Sequence, residues 1–327
     1  MEAVLEGIAP VPDVLIRAGA GASIGLGHLM RAHFLACALR DLGLSVGIAP
    51  TSLEALAFAG PPEAWVAADA PASLIIRDIA GGSTVAEVEA DRRTGAPVVL
   101  VDDDGPAAAR AALVVNALGV PGVAVGAPRL CGLEYAIVHP SAAGAHGTPP
   151  PGTGAICICF GGSDPTHLGL RLARALHEAG FRGPATVFAD AAVLSEAEAL
   201  VGSWHDSRAL PLGGDVIPHM AAADLVVTKI GLLQLEAFCV GRSVATIEPT
   251  PAHVALQARF ARERPVWPAT SFGLAATCDL DRAANGIIGL AATAAHRAAE
   301  AARLVDGRGV QRVAGAVSEL LQGRGGA

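Results

Sequence analysis

The chain has 327 residues, 52% of them hydrophobic, with 23 basic against 31 acidic side chains and a formal net charge of -8, enough for two domains of ordinary size, each with its own core. Gly, Pro, Arg or Asp interrupts every apolar run before it nears the roughly 18 residues of a membrane span, and no Lys/Arg cluster is interleaved with aromatics, which argues against an extended nucleic-acid surface. The N-terminus, MEAVLEGIAPVPDVLIRAG, lacks the basic region and small-residue cleavage site of a secretory signal, so a cytoplasmic protein is expected.

In chain order, Val14–Arg17, Leu44–Ala49, Ser73–Arg77, Pro97–Val101 and Leu113–Asn116 read as buried strands. Leu29–Leu42, Leu53–Phe58 and Thr84–Arg93, lying between them, have helical length and spacing. This alternation predicts a parallel sheet with helices on both faces and right-handed crossovers. Ser141–Gly154, SAAGAHGTPPPGTG, is the best linker in the chain. Beyond it the alternation restarts, with strands at Ala155–Phe160, Ala185–Ala189, Leu225–Thr228 and Ser243–Ile247. Helices are predicted at Thr166–Ala179, Leu232–Val240 and His253–Arg264, then an Ala/Arg-rich helical tail from Asp281 to Leu321. The expected architecture is therefore two Rossmann-like α/β domains, 1–145 and 146–327, with ligand at the C-terminal ends of strands in a cleft they share.

Three strand ends carry residues suited to chemistry. After the first strand, SIGLGHLMR places Gly25 and Gly27 in a turn that becomes a helix, so that helix-start N–H groups can meet an anion or a sugar hydroxyl. His28 then stands in the first helical turn as a proton acceptor, with Arg31 one turn on and on the same face; a loop cap beside a solvated arginine is the plainer alternative. Within FGGSDP, Gly161, Gly162 and Ser163 form a candidate cradle for phosphate, and the plainer reading is a tight turn with Asp164 as helix cap. Lys229, the only lysine, and Gly231 end another strand, where an ammonium could neutralise a diphosphate. Glu236 in the following helix could accept from a ribose diol, or be merely a solvated side chain.

The remaining candidates are mundane. Six cysteines are scattered among apolar residues without a CxxC pair, as buried free thiols would be, and Cys157 and Cys159 share one face of a strand. Asp102, Asp103 and Asp104 have no histidine or further carboxylate near them in sequence, so no metal or other cofactor is expected. They read as loop and capping residues, with Asp103 or Asp104 in reach of sugar hydroxyls. His139 and His253 are candidates for lining the cleft, His253 near a uracil or ribose, although a cap is the commoner role for each. No GxSxG, HExxH or Walker loop is present.

In combination, IRAGAGASIGLGHLMR (16–31), VDDDG (101–105) with VVN (114–116), CGLEYAIV (131–138), CFGGSDP (159–165), ADLVV (223–227) and LEAFCVGRSV (235–244) resemble the PseG-like nucleotide-sugar hydrolases and their relatives in surface-polysaccharide synthesis. CGLEYAIV is the most telling, since it holds the sole tyrosine, Tyr135. The resemblance implies a GT-B fold with sugar on the N-terminal side and UDP on the C-terminal side. It further implies release of UDP from a 2,4-diacetamido-2,4,6-trideoxy sugar on the way to pseudaminic acid, as in flagellin glycosylation. The His28-type base would activate water for inverting attack at the anomeric carbon without a metal. Partners would be the small-molecule nucleotide sugar and other enzymes of sugar biosynthesis. The chain departs from the family at Gly19, where an acidic residue is usual, at Arg77, Asp78 and Ile79 in place of a DxxG-type stretch, at TKIGLLQLE, and at Thr250, Pro251 and Ala252. Three outcomes fit: hydrolysis of a different nucleotide-activated sugar with Lys229 on the phosphates, glycosyl transfer to another acceptor, or a non-catalytic binding relative. Hydrolysis is the expected one, because GxGHxxR is intact.

Overall fold

The computed structural model describes residues 11–19, 26–51, 66–67, 69–119, 126–264 and 266–323. The expected helix at Leu53–Phe58 lies outside them, as does Gly25. The chain divides into two compact units, one taking in Met1–Ile24, His28–Tyr135 and Val310–Ala327, the other Gly25–Gly27 and Ala136–Gly309.

Six strands form the sheet of the first unit: β1 (Val14–Ala18), β2 (Val46–Pro50), β3 (Leu74–Asp78), β4 (Val98–Val101), β5 (Leu113–Asn116) and β6 (Arg129–Cys131). All neighbouring pairs are parallel, in the order β2-β1-β3-β4-β5-β6. VLIRA and LIIRD are nearly continuous apolar runs because both faces of a parallel sheet are covered by helices. Two of those helices are α1 (Gly27–Asp41) and α2 (Val85–Arg92). Thr84 starts α2 through a capping box, its hydroxyl accepting from the N–H of Glu87 while the Glu87 carboxylate accepts from the N–H of Thr84.

In the second unit the strands are β7 (Ile156–Ile158), β8 (Ala185–Ala189), β9 (Arg208–Pro211), β10 (Leu225–Thr228), β11 (Ser243–Glu248) and β12 (Ala269–Leu274), ordered β12-β11-β10-β7-β8-β9 and again wholly parallel. Read from β9, this is the 3-2-1-4-5-6 order of a dinucleotide-binding fold. The helices are α3 (Pro140–Gly144), α4 (Leu168–Glu178), α5 (Leu194–Val201), α6 (Ile217–Ala221), α7 (Leu232–Val240), α8 (Pro251–Glu263), α9 (Leu280–Thr293) and α10 (Ala298–Leu304). A last helix, α11 (Gly309–Gln322), falls from Val310 onward in the first unit, where Arg312 donates to the carbonyl of Glu134 at 2.7 Å. The tail, expected as one helical stretch, is therefore interrupted twice, by the 3-10 turn Ala294–Arg297 and after Leu304.

The core of the second unit is built from Ile156, Ile158, Val187, Leu225, Val227 and Ile247 on the sheet and from α4 and α9 against it. Leu168, Leu172 and Leu176 recur at every fourth residue of α4 and are buried, whereas Arg171 and Arg174 face solvent. Gly169 lets this helix approach the sheet, because a Cβ there would stand 3.1 Å from the carbonyl of Phe188. No helix among the described residues is long and apolar enough to cross a membrane.

Candidate functional site

In each sheet the strand order reverses direction beside the first strand, between β1 and β3 in the first unit and between β7 and β10 in the second. Connections leave such a point toward opposite faces, and the crevice at the C-terminal strand ends is where open α/β sheets bind ligands.

In the first unit, Asp78 ends β3, Asp102 follows β4, and α1 brings His28 and Arg31 to meet them. His28 Nδ1 lies 2.5 Å from Oδ1 of Asp78. Arg31 grips the same carboxylate with Nε on Oδ2 at 3.0 Å and Nη2 on Oδ1 at 2.6 Å, and its Nη1 donates to Asp102. Burial by itself would push the Asp78 carboxyl up, but the Arg31 charge and the bond from His28 outweigh it and hold it below the usual carboxylate range. An ionised carboxylate only accepts. In the neutral ring, Asp78 favours the tautomer with its proton on Nδ1, which leaves the Nε2 lone pair for an external proton.

Arg31, expected to bind sugar, thus has its fork committed to two carboxylates. Burial works against its charge, yet Asp102 and Asp78 together raise its hold on the proton. Gly27 is the first residue of α1. Asp103 is buried and accepts from the N–H groups of Ser83 at 2.6 Å and Gly105 at 3.0 Å, joining the loops after β3 and β4. Asp104 pairs with Arg129 and accepts from Asn116 Nδ2 at 2.8 Å. Tyr135 is half-buried at the end of the 3-10 turn Leu133–Tyr135.

In the second unit, Cys159–Pro165 leaves β7 and Lys229–Gly231 leaves β10. Gly161 at φ 114° and Gly231 at φ 132° occupy backbone conformations that side-chain-bearing residues rarely adopt. A Cβ on Gly161 would come within 3.5 Å of Lys229 Nζ, so the glycine turn and the ammonium are neighbours. Ser163 and Gly162 continue the same loop, half-buried. Asp164 is spent on structure: its carboxylate accepts from the N–H groups of Leu168 at 2.9 Å and Gly169 at 2.8 Å, satisfying the first donors of α4 from outside its N-cap residue, His167. Burial lowers the Lys229 pKa against the opposing charges of Asp164, Cys159 and Glu248, and an arriving anion would relieve that cost. The Cys159 thiol is pushed by burial to about 12 and stays protonated, while Cys157 lies above its ordinary value for the same reason.

Glu236, on α7, is only 3% exposed. Burial drives its carboxyl up to about 8 against the N–H of His139, which donates to Oε1 at 3.0 Å. Near pH 7 it is mostly a neutral acid, able to donate one hydrogen bond and accept others. His139 itself caps α3, its Nδ1 accepting from the N–H of Ser141. His253 is half-buried in the first turn of α8, 2.6 Å from the hydroxyl of the capping Thr250. Burial lowers its pKa, Glu248 opposing and Lys229 assisting.

Two features escape the linear sequence. Asp78 looks like any polar strand end until the fold sets it beside α1, fifty residues away; its only linear signal is an acid closing an apolar run. Glu248, at the end of β11, accepts from the N–H of Ile230 at 3.0 Å and from Gln257 Nε2 at 3.1 Å. The same Nε2 reaches Gln234 Oε1 at 2.7 Å, and Trp267 donates to Gln257 Oε1 at 3.0 Å, so a buried polar network braces the strand ends beneath Lys229.

No protein-family model and no curated protein sequence matches the chain. Solved structures do. MurG of Acinetobacter baumannii superposes with a TM-score of 0.64 at 17% identity, over 94% of this chain and 100% of that one. LpCGTa in complex with UDP gives 0.64 at 14%, over 95% and 99%. UGT89C1 of Arabidopsis thaliana complexed with UDP-L-rhamnose gives 0.62 at 10%, over 95% and 98%. The fold is that of the GT-B glycosyltransferases, with two Rossmann-like units.

Proposed function

We propose that the chain is an enzyme that cleaves a nucleotide-activated sugar at its anomeric carbon: a hydrolase releasing UDP from a UDP-linked acetamido-trideoxy sugar, in surface-glycan synthesis of the pseudaminic acid type. The observation that carries this reading is the His28–Asp78 pair at the strand-order reversal of the first sheet. With Nδ1–H held by Asp78, Nε2 takes a proton from water as the water oxygen bonds to the anomeric carbon. The C–O bond to the diphosphate breaks on the opposite face, and UDP leaves with the electron pair. General-base catalysis of this kind contributes about 10²- to 10⁴-fold.

The second unit supplies what the leaving group needs. Lys229 and the loop of Gly161, Gly162 and Ser163 would bear diphosphate charge, and Glu236 and His253 would meet the nucleoside. Water as the acceptor, and the acetamido sugar, rest on the resemblance of GxGHxxR and CGLEYAIV to the PseG-like hydrolases, with Tyr135 on the sugar side, while Arg31 and Asp103 serve that side by holding Asp78, Asp102 and the loops after β3 and β4. A second reading, transfer to an acceptor hydroxyl, draws support from structural neighbours that are glycosyltransferases. The same base serves either acceptor.

The test is incubation with a panel of UDP-, GDP- and CMP-sugars, following free nucleotide with and without hydroxyl acceptors. Nucleotide release in buffer alone, lost by at least about 10²-fold in His28→Ala, is the expected result. Release only with an acceptor selects the transferase, and full turnover by His28→Ala removes the base.

A further inference from the structure

We infer that Asp102 is a positioning residue for His28 and acts on it through Arg31. This rests on the reading of His28 as the base and adds what keeps its ring in the productive tautomer. Arg31 Nη2 stands 3.1 Å from His28 Nδ1 as well as 2.6 Å from Asp78 Oδ1. A guanidinium is a donor at every nitrogen and does not deprotonate in proteins. Two donors, Nδ1–H and Nη2–H, therefore lie side by side, and the arrangement holds because both aim at Asp78. Should Arg31 turn toward the ring, its N–H would claim a lone pair on Nδ1. The proton would then move to Nε2, and the base would have no lone pair to offer.

The anchor against that rotation is at the far end of the guanidinium, where Nη1 donates to Asp102. Asp102 adopts φ 53°, a left-handed conformation that among side-chain-bearing residues Asp and Asn tolerate best, and it stands directly after β4. The neighbouring carboxylates are occupied elsewhere, Asp103 by Ser83 and Gly105, and Asp104 by Arg129 and Asn116. Arg77, the residue before Asp78, pairs with Asp91 and Glu87 instead. Asp102 also sets the local charge. Asp78, Arg31 and Asp102 sum to one net negative charge, which a proton arriving on His28 neutralises; without Asp102 that sum is zero.

The experiment reads the ring directly and needs no substrate. Long-range proton–nitrogen correlation on the 15N-labelled full chain, with His28 assigned by its loss in His28→Gln, gives the ratio of the two neutral tautomers at alkaline pH. The wild type is expected to be protonated at Nδ1. Asp102→Ala should shift the ratio toward the Nε2–H form by roughly tenfold, the scale of one charge-assisted hydrogen bond. Asp102→Asn, which still accepts from Nη1 and tolerates the left-handed φ, should restore most of it. In an Arg31→Met background, Asp102→Ala should leave the ratio unchanged, because the competing donor is gone. An unaltered ratio in a folded Asp102→Ala protein overturns the inference, and so does an equal shift with and without Arg31. Failure of the base reading shows separately, as His28→Ala that keeps its turnover.

Discussion

Burial opposes the charge of Glu236 and of Lys229, and each yields a measurable consequence. Glu236 is raised from 4.5 to about 8 by burial, so between those pH values the folded chain binds more protons than the unfolded one. This group's contribution to stability therefore falls as pH rises from about 4.5 to about 8. Glu236→Gln removes the penalty and should stabilise the protein at pH 8 relative to wild type more than at pH 5, as read by urea midpoints at the two values; an identical difference at both would mean the carboxyl titrates normally. Lys229 makes no ion pair among the described residues. Lys229→Ala should weaken UDP by about tenfold or more while changing uridine little, and calorimetric titration of both ligands decides it, since equal losses would place the ammonium away from the phosphates. His28, Arg31 and Lys229 are legible in the sequence because a strand, a glycine turn and a helix start are local signals. Asp78 is not, since its meaning comes from a neighbour fifty positions earlier.

Elements in the middle of each sheet can be read from the chain, whereas three of the four edge strands cannot; the fourth, β2, is legible as Leu44–Ala49 and is found at Val46–Pro50. β1, β3, β5, β8, β10 and α7 match their expected bounds within a residue, because a central parallel strand is apolar on both faces and announces itself. β6, β9 and β12 have no counterpart among the expected strands, and all three are edge strands. RLC, RALP and ATSFGL are partly exposed along much of their length and carry no apolar run. The loop before α4 admits two readings from sequence, a cap and a phosphate cradle, and in the structure the helix-start N–H groups go to Asp164. Asp164 takes the N–H groups of Leu168 and Gly169, whereas Gly161 is the loop residue next to Lys229. Asp164→Ala should therefore cost about 1–2 kcal/mol in stability and leave the affinity for UDP nearly intact. Thermal unfolding and UDP titration of this one variant separate cap from ligand, and a collapse in affinity with unchanged stability would reverse the assignment.

At the scale of the whole chain, the proline-rich stretch 141–154 follows closely on the division into two units, which falls at Tyr135/Ala136. Its composition suggests a connector, yet the second unit holds it by two buried charges that are distant in sequence. The Asp224 carboxylate accepts from the N–H groups of Gly152, Thr153, Gly154 and Ala155. Arg242, at 0% exposure, donates to the carbonyls of Thr148 and Pro149 on that stretch, to Met220 and Ala221 at the end of α6, and to Val240 and Gly241 at the end of α7. These bonds are all to carbonyls, and two helix C-termini supply most of them, so its charge is met by the negative ends of helix dipoles. A lysine has three donors in place of a planar fork of five and cannot reach the same set. Arg242→Leu leaves several buried carbonyls without donors, each costing about 1–3 kcal/mol where water does not enter, and Arg242→Lys relieves only some of them. Both variants should lower the urea midpoint, Arg242→Leu by the equivalent of about 3 kcal/mol or more and Arg242→Lys by less. A midpoint unmoved in Arg242→Leu would show that the stretch is held without the arginine, with the four N–H groups on Asp224 sufficient to keep it against the sheet.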